Sequence, residues 1–218
     1  MTARPCALIG TGGHARVAVD VLQKMQRNVL FALTADAHDE GDTLGGVPIV
    51  GGDAYLDRYS PDDLDIVLGV GAPRLGDTRH SIWAKFAARG YRAVTLIHPS
   101  AVIAPDVILE DGAQIMAGAV IQPGSRIGSG AIVNTGARVD HDCIIAPFAH
   151  VAPGATLCGN VTIGGNSLVG AAAVVTPGVT VGKNCRINAG AAVSRDLKDG
   201  VNARAAGEAA GDQEPADD

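Results

Sequence analysis

An aliphatic residue returns every six positions from Ile103 to Val193 without one failure, and no other feature of this 218-residue chain restricts its fold as tightly. The row runs Ile103, Leu109, Ile115, Ile121, Ile127, Val133, Val139 and onward to Ile187 and Val193, sixteen positions that are all Ile, Leu or Val. With 47% hydrophobic residues overall, such a run arises by chance less than about once in 10⁵ trials. Two residues earlier, the same period from Ala101 to Ala191 carries only Ala, Val, Ser and Cys. Residues two apart on a strand point to the same side. Each hexad therefore turns one branched and one small side chain inward and uses Gly, Asn, Asp or Pro to turn, which predicts a parallel β-helix of short strands.

Four cysteines, Cys6, Cys143, Cys158 and Cys185, show no Cys-x-x-Cys spacing, and reduced thiols are expected. Cys143 and Cys185 fall in the small inward row, where a thiol acts as a small hydrophobe. The hexad rhythm resembles that of the left-handed β-helix acyltransferases, in which three hexads close one triangular coil. That resemblance implies a little over five coils, the left hand, and assembly as a homotrimer. The flat outer faces of stacked coils invite partners. The β-helix is assigned to residues 98–196, followed by a segment over 197–218 whose acidic end is expected to be disordered.

Residues 1–97 alternate strand and helix: Cys6 to Ile9, helix Ala15 to Met25, strand Val29 to Leu33, strand Asp65 to Val70, helix Asp77 to Arg89, and Arg92 to Ile97 completing the sheet. The expected fold is thus mixed, a small α/β Rossmann-like domain with a parallel sheet followed by the β-helix. Its first strand runs into Gly10-Thr11-Gly12-Gly13-His14-Ala15, a G-x-G-x-x-A sequence, with Asp36 about twenty residues on. Glycines there let backbone amides approach a phosphate at a helix N-terminus. A tight turn that merely needs Gly is the plain alternative. Gly13, and a second pair, Gly69 and Gly71, at the same edge of the sheet, favour a ligand. A domain of this length suits one nucleotide-sized ligand better than a nicotinamide dinucleotide. His14 caps the helix or touches phosphate or sugar.

Only 3% of residues are aromatic, which argues against base-stacking platforms. The net charge of −6 owes much to Glu208, Asp212, Glu214, Asp217 and Asp218 in a tail without Lys or Arg, and phosphate-backbone binding is disfavoured. No run of about 18 apolar residues and no secretory leader is seen, so a cytoplasmic protein without membrane insertion is expected.

Two histidines lie within the repeat, and neither belongs to an inward row. His141 falls in a turn two residues after Val139, and His150 directly precedes Val151. Nine residues apart, half of an eighteen-residue coil, they should sit on different sides of one prism and meet only across a subunit boundary. The set Gly12-Gly13-His14-Ala15, Asn134-Thr135 followed by Val139-Asp140-His141-Asp142, and Ala149-His150-Val151-Ala152-Pro153-Gly154-Ala155 resembles the nucleotide-sugar acetyltransferases of bacterial surface-glycan synthesis, such as lipopolysaccharide O-antigen. The resemblance spans about residues 6 to 200.

It implies acetyl-CoA as cosubstrate, no metal, and a nucleotide-linked 4-amino-4,6-dideoxy sugar (GDP-perosamine or a UDP-linked analogue) as acceptor. By position, His141 resembles the catalytic base and Asp142 its acidic neighbour. His150, Ala171 and Ala189 correspond to acetyl-CoA contacts, and Gly12, Gly13, His14, Asp36 and Gly71 to nucleotide-sugar contacts. A His with a pKa near 6.5 suits removal of a proton from an amine attacking a thioester. Two positions depart from the family: Asp142 stands where relatives often have Glu, and Val201 to Ala206 lacks the Gly and Pro of a V-x-G-x-P-A segment. Alternatives are O-acetylation of a sialic-acid-type sugar, a zinc-dependent β-helix hydratase needing three convergent histidines, and a nonenzymatic nucleotide-sugar binder.

Overall fold

A computed structural model describes residues 3–36, 39–72 and 78–204. The first part is a five-stranded sheet of β1 (Cys6–Ile9), β2 (Val29–Leu33), β3 (Thr43–Leu44), β4 (Val47–Val50) and β5 (Asp65–Leu68), in the order β3-β4-β2-β1-β5. β1 pairs in parallel with both β2 and β5 and is buried throughout, as a strand covered on both faces should be. The hairpin β3–β4 was not anticipated. Its Gly45-Gly46 turn has φ of 57° and 84°, the left-handed pair that a two-residue hairpin loop requires.

Helix α1 (Gly13–Lys24) starts two residues earlier than its apolar spacing suggested, directly on Gly12. It ends in a Schellman arrangement: Gln26 adopts φ 55°, and the N–H groups of Gln26 and Arg27 donate to Gln23 O and Leu22 O. Helix α2 covers Thr78–Ala87, and the anticipated start at Asp77 lies outside the described residues.

The expectation that Arg92 to Ile97 would complete this sheet is corrected. That segment touches β5 through the single bridge Ile66–Ala93, and β6 (Leu96–Ile97) pairs instead with Gln114–Ile115 of the repeat. Strand pairing thus begins one hexad before Ile103.

Strands β7 (Val102–Ile103) to β22 (Ala192–Val193) follow every six residues, and each pairs in parallel with the strand eighteen residues away, as Val120 does with Val102 and Arg138. The result is a left-handed parallel β-helix with three faces of seven, six and five strands. The aliphatic row from Ile115 and the small row from Ala113 are fully buried to the last coil, forming one core. Positions 112, 118, 124 and so on to 190 all take a positive φ, the left-handed corner that the hexad needs once per turn. Asp142, Phe148 and Ala172 hold such corners without being Gly or Asn. After Val193 the period fails, and Asn202–Ala203 pairs with Arg186–Ile187 at a spacing of sixteen.

Helix α1 is sandwiched between the sheet and the seven-stranded face of the β-helix. Ala15, Ala18 and Leu22 share a core with Leu8 and Ala32 on one side and Leu96 and Met116 on the other. Outward-facing Gln114 and Ile132 of that face are consequently 0% and 1% exposed. Across the same junction Arg79 of α2 donates to Val70 O and, at 3.1 Å, to Gly130 O. Its burial lowers the guanidinium pKa to about 10, still charged at neutral pH.

Candidate active site

The turn after β1 enters α1 with Gly12 as N-cap, no side-chain cap and no acidic residue in the first turn. The first amides of a helix have no partner within it, so this end is electropositive and open to an anion. It opens on a cavity of about 800 Å³. From the α/β domain come Gly10 to His14, Thr34 to Asp36 and Gly69 to Ala72; from the β-helix come Asn134, Thr135, His150 and Pro153. The structure therefore brings Gly12, Gly13, His14, Asp36 and Gly71 to one cavity, at the carboxyl edge of the parallel sheet.

Side-chain chemistry is concentrated on the wall shared with the β-helix. His14 Nε2 lies 2.7 Å from Gln114 Oε1, and Gln114 Nε2 donates to Leu68 O at 2.8 Å. Burial lowers the His14 pKa to about 4, against the raising effect of Gln114. His150 has Nδ1 2.9 Å from Ala72 O and Nε2 3.0 Å from Asn134 Nδ2. A carbonyl only accepts, so Nδ1 carries the proton; Nε2 accepts from Asn134, whose Oδ1 is occupied by the Thr135 amide. With both nitrogens engaged and its pKa lowered by burial, His150 is a strut between the Ala72 loop and the β-helix corner, and its ring nitrogens are unsuited to proton transfer.

A second groove, of about 380 Å³, runs along the same β-helix face. His150, Ala152, Leu168, Ala171, Asn188 and Ala189 line it, so the expected trio His150, Ala171 and Ala189 shares one groove. His150 lines both hollows, and a ligand in each would meet there.

His141 and Asp142 are absent from both. They form the corner between the six- and five-stranded faces, separated from the Asn134–Thr135 corner by the strand Arg138–Val139. His141 Nδ1 stands 2.9 Å from Asp142 Oδ2; the carboxylate accepts, Nδ1 holds the proton, and Nε2 is the basic nitrogen. The hydrogen bond to Asp142, helped by the charges of Asp140 and Asp142, raises the pKa of this exposed ring. Glycines in the adjoining coils leave room for both side chains. A Cβ on Gly159 would lie 2.4 Å from His141 Nε2, and one on Gly124 would lie 2.3 Å from Asp142 Oδ1. Replacing Gly159 by Ala is expected to displace the imidazole and lower turnover at least about tenfold, while the melting temperature, read by scanning calorimetry, falls much less than on loss of a core residue.

The third histidine near the repeat, His98, bonds Ser100 through Nδ1. Among the described residues no group of three or more His, Cys, Asp or Glu side chains converges to hold a metal ion. Cys143 and Cys185 are buried, and burial raises the Cys143 thiol to about 11. Sequence reasoning overlooked Arg79, Gln114 and Ala72, and it named Asn134 only as part of a motif, without its bond to His150. Gln114 stands at an outward position of the repeat, where a polar residue is ordinary, so only the docked α/β domain gives it meaning. No helix among the described residues is long and apolar enough to cross a membrane.

Residues 6–85 match the PglD N-terminal domain family, residues 106–141 the bacterial transferase hexapeptide (six repeats), and residues 160–195 the hexapeptide repeat of succinyl-transferase. The acetyltransferase domain of PglB from Neisseria gonorrhoeae FA1090, solved in complex with acetyl coenzyme A, is 36% identical, with a TM-score of 0.86 over 93% of this chain and 97% of that one. A variant of perosamine N-acetyltransferase from Caulobacter crescentus, in complex with CoA and GDP-perosamine, is 37% identical, with a TM-score of 0.85 over 93% of this chain and 94% of that one. WeeI from Acinetobacter baumannii AYE shares the fold at 22% identity, with a TM-score of 0.74 over 92% and 96% of the two chains.

Proposed function

Because this chain belongs to the hexapeptide-repeat sugar acetyltransferases that carry a PglD-type N-terminal domain, we propose that it transfers acetyl from acetyl-CoA to the amine of a nucleotide-linked 4-amino-4,6-dideoxy sugar. The observation that carries this reading is the junction at His150, where the cavity at the head of α1 meets the groove along the β-helix. The diphosphate sits on the amides after Gly12, with Gly13, Asp36 and Gly71 around the nucleotide. The thioester donor lies along Ala171 and Ala189. Relatives solved with acetyl coenzyme A, and with CoA and GDP-perosamine, support a site that takes both kinds of ligand.

A neighbouring subunit's His141 supplies the base, because within one chain the strand Arg138–Val139 separates it from the cavity. Val102, Ile108 and Ile144 on the other two faces are 63%, 53% and 49% exposed, apolar surface that a trimer would cover. The sugar amine attacks the thioester carbonyl; a C–N bond forms, His141 Nε2 takes the amine proton, and the C–S bond breaks to release CoA, which regains the proton. Asp142 stabilises the imidazolium formed on the way. Incubating the protein with acetyl-CoA and GDP- or UDP-linked 4-amino sugars, and following free thiol, tests the reading. Absence of thiol release with every such sugar would overturn it, and turnover confined to sialic-acid-type hydroxyl acceptors would move the reading to O-acetylation.

The pH profile follows from the raised His141 pKa. The base must be unprotonated, so turnover climbs with pH through that pKa. In Asp142→Asn the supporting carboxylate is gone, the pKa falls back toward its ordinary value, and the acidic limb of kcat shifts to lower pH. The plateau is expected to drop about tenfold as basicity and ring orientation are lost. A limb that stays in place would detach Asp142 from His141.

A further inference from the structure

The hydrogen-bond chain beneath His14 fixes which of its ring nitrogens carries the proton. Leu68 O only accepts, so the nearby Gln114 atom at 2.8 Å is the amide N–H₂ and the opposite end of that amide is oxygen. That oxygen, 2.7 Å from His14 Nε2, accepts as well, so Nε2 carries the hydrogen. Reversing the Gln114 amide would set two oxygens against each other, and Gln114 is 0% exposed, with no water to relieve the clash. In the neutral ring Nδ1 is then a bare lone pair. It has no hydrogen-bond partner among the described residues, and His14 lines the cavity. Gly71 backs the ring closely: a Cβ there would lie 3.2 Å from His14 Cβ and 3.4 Å from Cγ.

We propose that His14 reads the sugar of the bound nucleotide-sugar, Nδ1 accepting a hydrogen bond from a hydroxyl or amino group, and that it does not serve the diphosphate. This rests on the acetyltransferase reading above and adds a specificity-determining residue to it. A lone pair repels phosphate oxygens, so serving the diphosphate would require the imidazolium. Burial and the Arg79 guanidinium both oppose that form, lowering the pKa to about 4. The placement agrees with the chemistry. His14 is tied to the β-helix through Gln114, on the side where His150 and Asn134 border the donor groove, whereas Thr34, Ala35 and Asp36 line the part of the cavity after β2. A sugar whose amine must reach the thioester lies on the β-helix side.

The test uses the full chain labelled with ¹⁵N, the His14 signals being assigned by comparison with His14→Gln. At pH 7 the ligand-free protein is expected to show an unprotonated Nδ1 and a protonated Nε2. GDP-perosamine should move the Nδ1 signal in the direction of an accepted hydrogen bond, whereas GDP alone should shift the Gly12 and Gly13 amides and leave Nδ1 in place. A proton on Nδ1 in either state, or an equal Nδ1 response to GDP alone, overturns the assignment of His14 while leaving the acetyltransferase reading intact. Gly12 and Gly13 amides that respond to no GDP- or UDP-linked sugar overturn the nucleotide-sugar reading and this proposal with it.

Kinetics give an independent measure. His14→Gln keeps an N–H toward Gln114 but offers no acceptor in place of Nδ1, and KM for the nucleotide-sugar should rise about tenfold with KM for acetyl-CoA unmoved. His14→Asn, whose amide oxygen falls near the Nδ1 position, should recover much of that loss; equal losses in both variants would overturn the proposal.

Discussion

Replacing His141 by Asn is expected to lower turnover by about 10²–10⁴-fold, the usual contribution of a positioned general base, with both substrates still bound and the oligomer unchanged. The side chain is exposed at a β-helix corner and, among the described residues, bonded through its ring only to Asp142, so its loss removes no core contact. In the proposed mechanism the proton from the attacking amine would then pass to water. Steady-state thiol release, nucleotide-sugar titration and size-exclusion chromatography read the three quantities separately. Turnover within about twofold of the original, well below that range, would take His141 out of the base role.

Gly12→Asp is expected to act in opposite directions on folding and on binding. Gly12 is the N-cap of α1 with φ −71°, and a Cβ there meets nothing within 4 Å. Asp is a better N-cap than Gly by a few tenths of a kcal/mol, and its charge complements the helix end, so the variant should melt slightly higher. The same carboxylate occupies the electropositive end assigned to the diphosphate, and like-charge repulsion at such a site is worth several kcal/mol. KM for the nucleotide-sugar should rise about 100-fold or more. A variant that is no more stable yet binds normally would remove the α1 N-terminus from the site.

Together these two variants test whether the site is shared between copies. With nucleotide-sugar below the original KM, neither alone should show more than about a hundredth of the original activity. Co-expressed in equal amounts, they are expected, if the proposed trimer forms, to give mixed oligomers in which about one boundary in four joins an intact cavity to an intact His141, so about a quarter of the original activity should return. No recovery would mean that cavity and base belong to one chain.

The β-helix was legible because its determinants are local and periodic. A six-residue alternation of Ile, Leu or Val with Ala, Val, Ser or Cys states which side chains face inward, and each corner is a single left-handed residue. The Gly-rich turn was equally legible, since it opens on Gly10 at φ 104°, a backbone conformation that residues with a Cβ rarely adopt. The hairpin Thr43 to Val50 was missed although Gly45-Gly46 signalled it, because its strands are too short to carry an alternation. The segment Arg92 to Ile97 was assigned to the wrong sheet because an apolar run does not name its neighbour; pairing with Gln114–Ile115 is a long-range choice.

For the site, the residue types were readable and their states were not. The chain order separates His141 from His150 by half a coil, which already placed them on different sides of the prism. That His150 has both nitrogens engaged, that His14 keeps Nδ1 bare, and that Arg79 and Gln114 bind the two domains all depend on carbonyls supplied from distant segments: Ala72, Leu68, Val70 and Gly130. Sequence by itself determined the stacked short strands, their corners and the glycine-lined helix end, because each follows from the steric limits of a few consecutive residues; the three-sided coil and its left hand were implied by the family resemblance. Only the tertiary structure decided the protonation state of each imidazole, because a proton settles according to which acceptors the folded chain brings within about 3 Å.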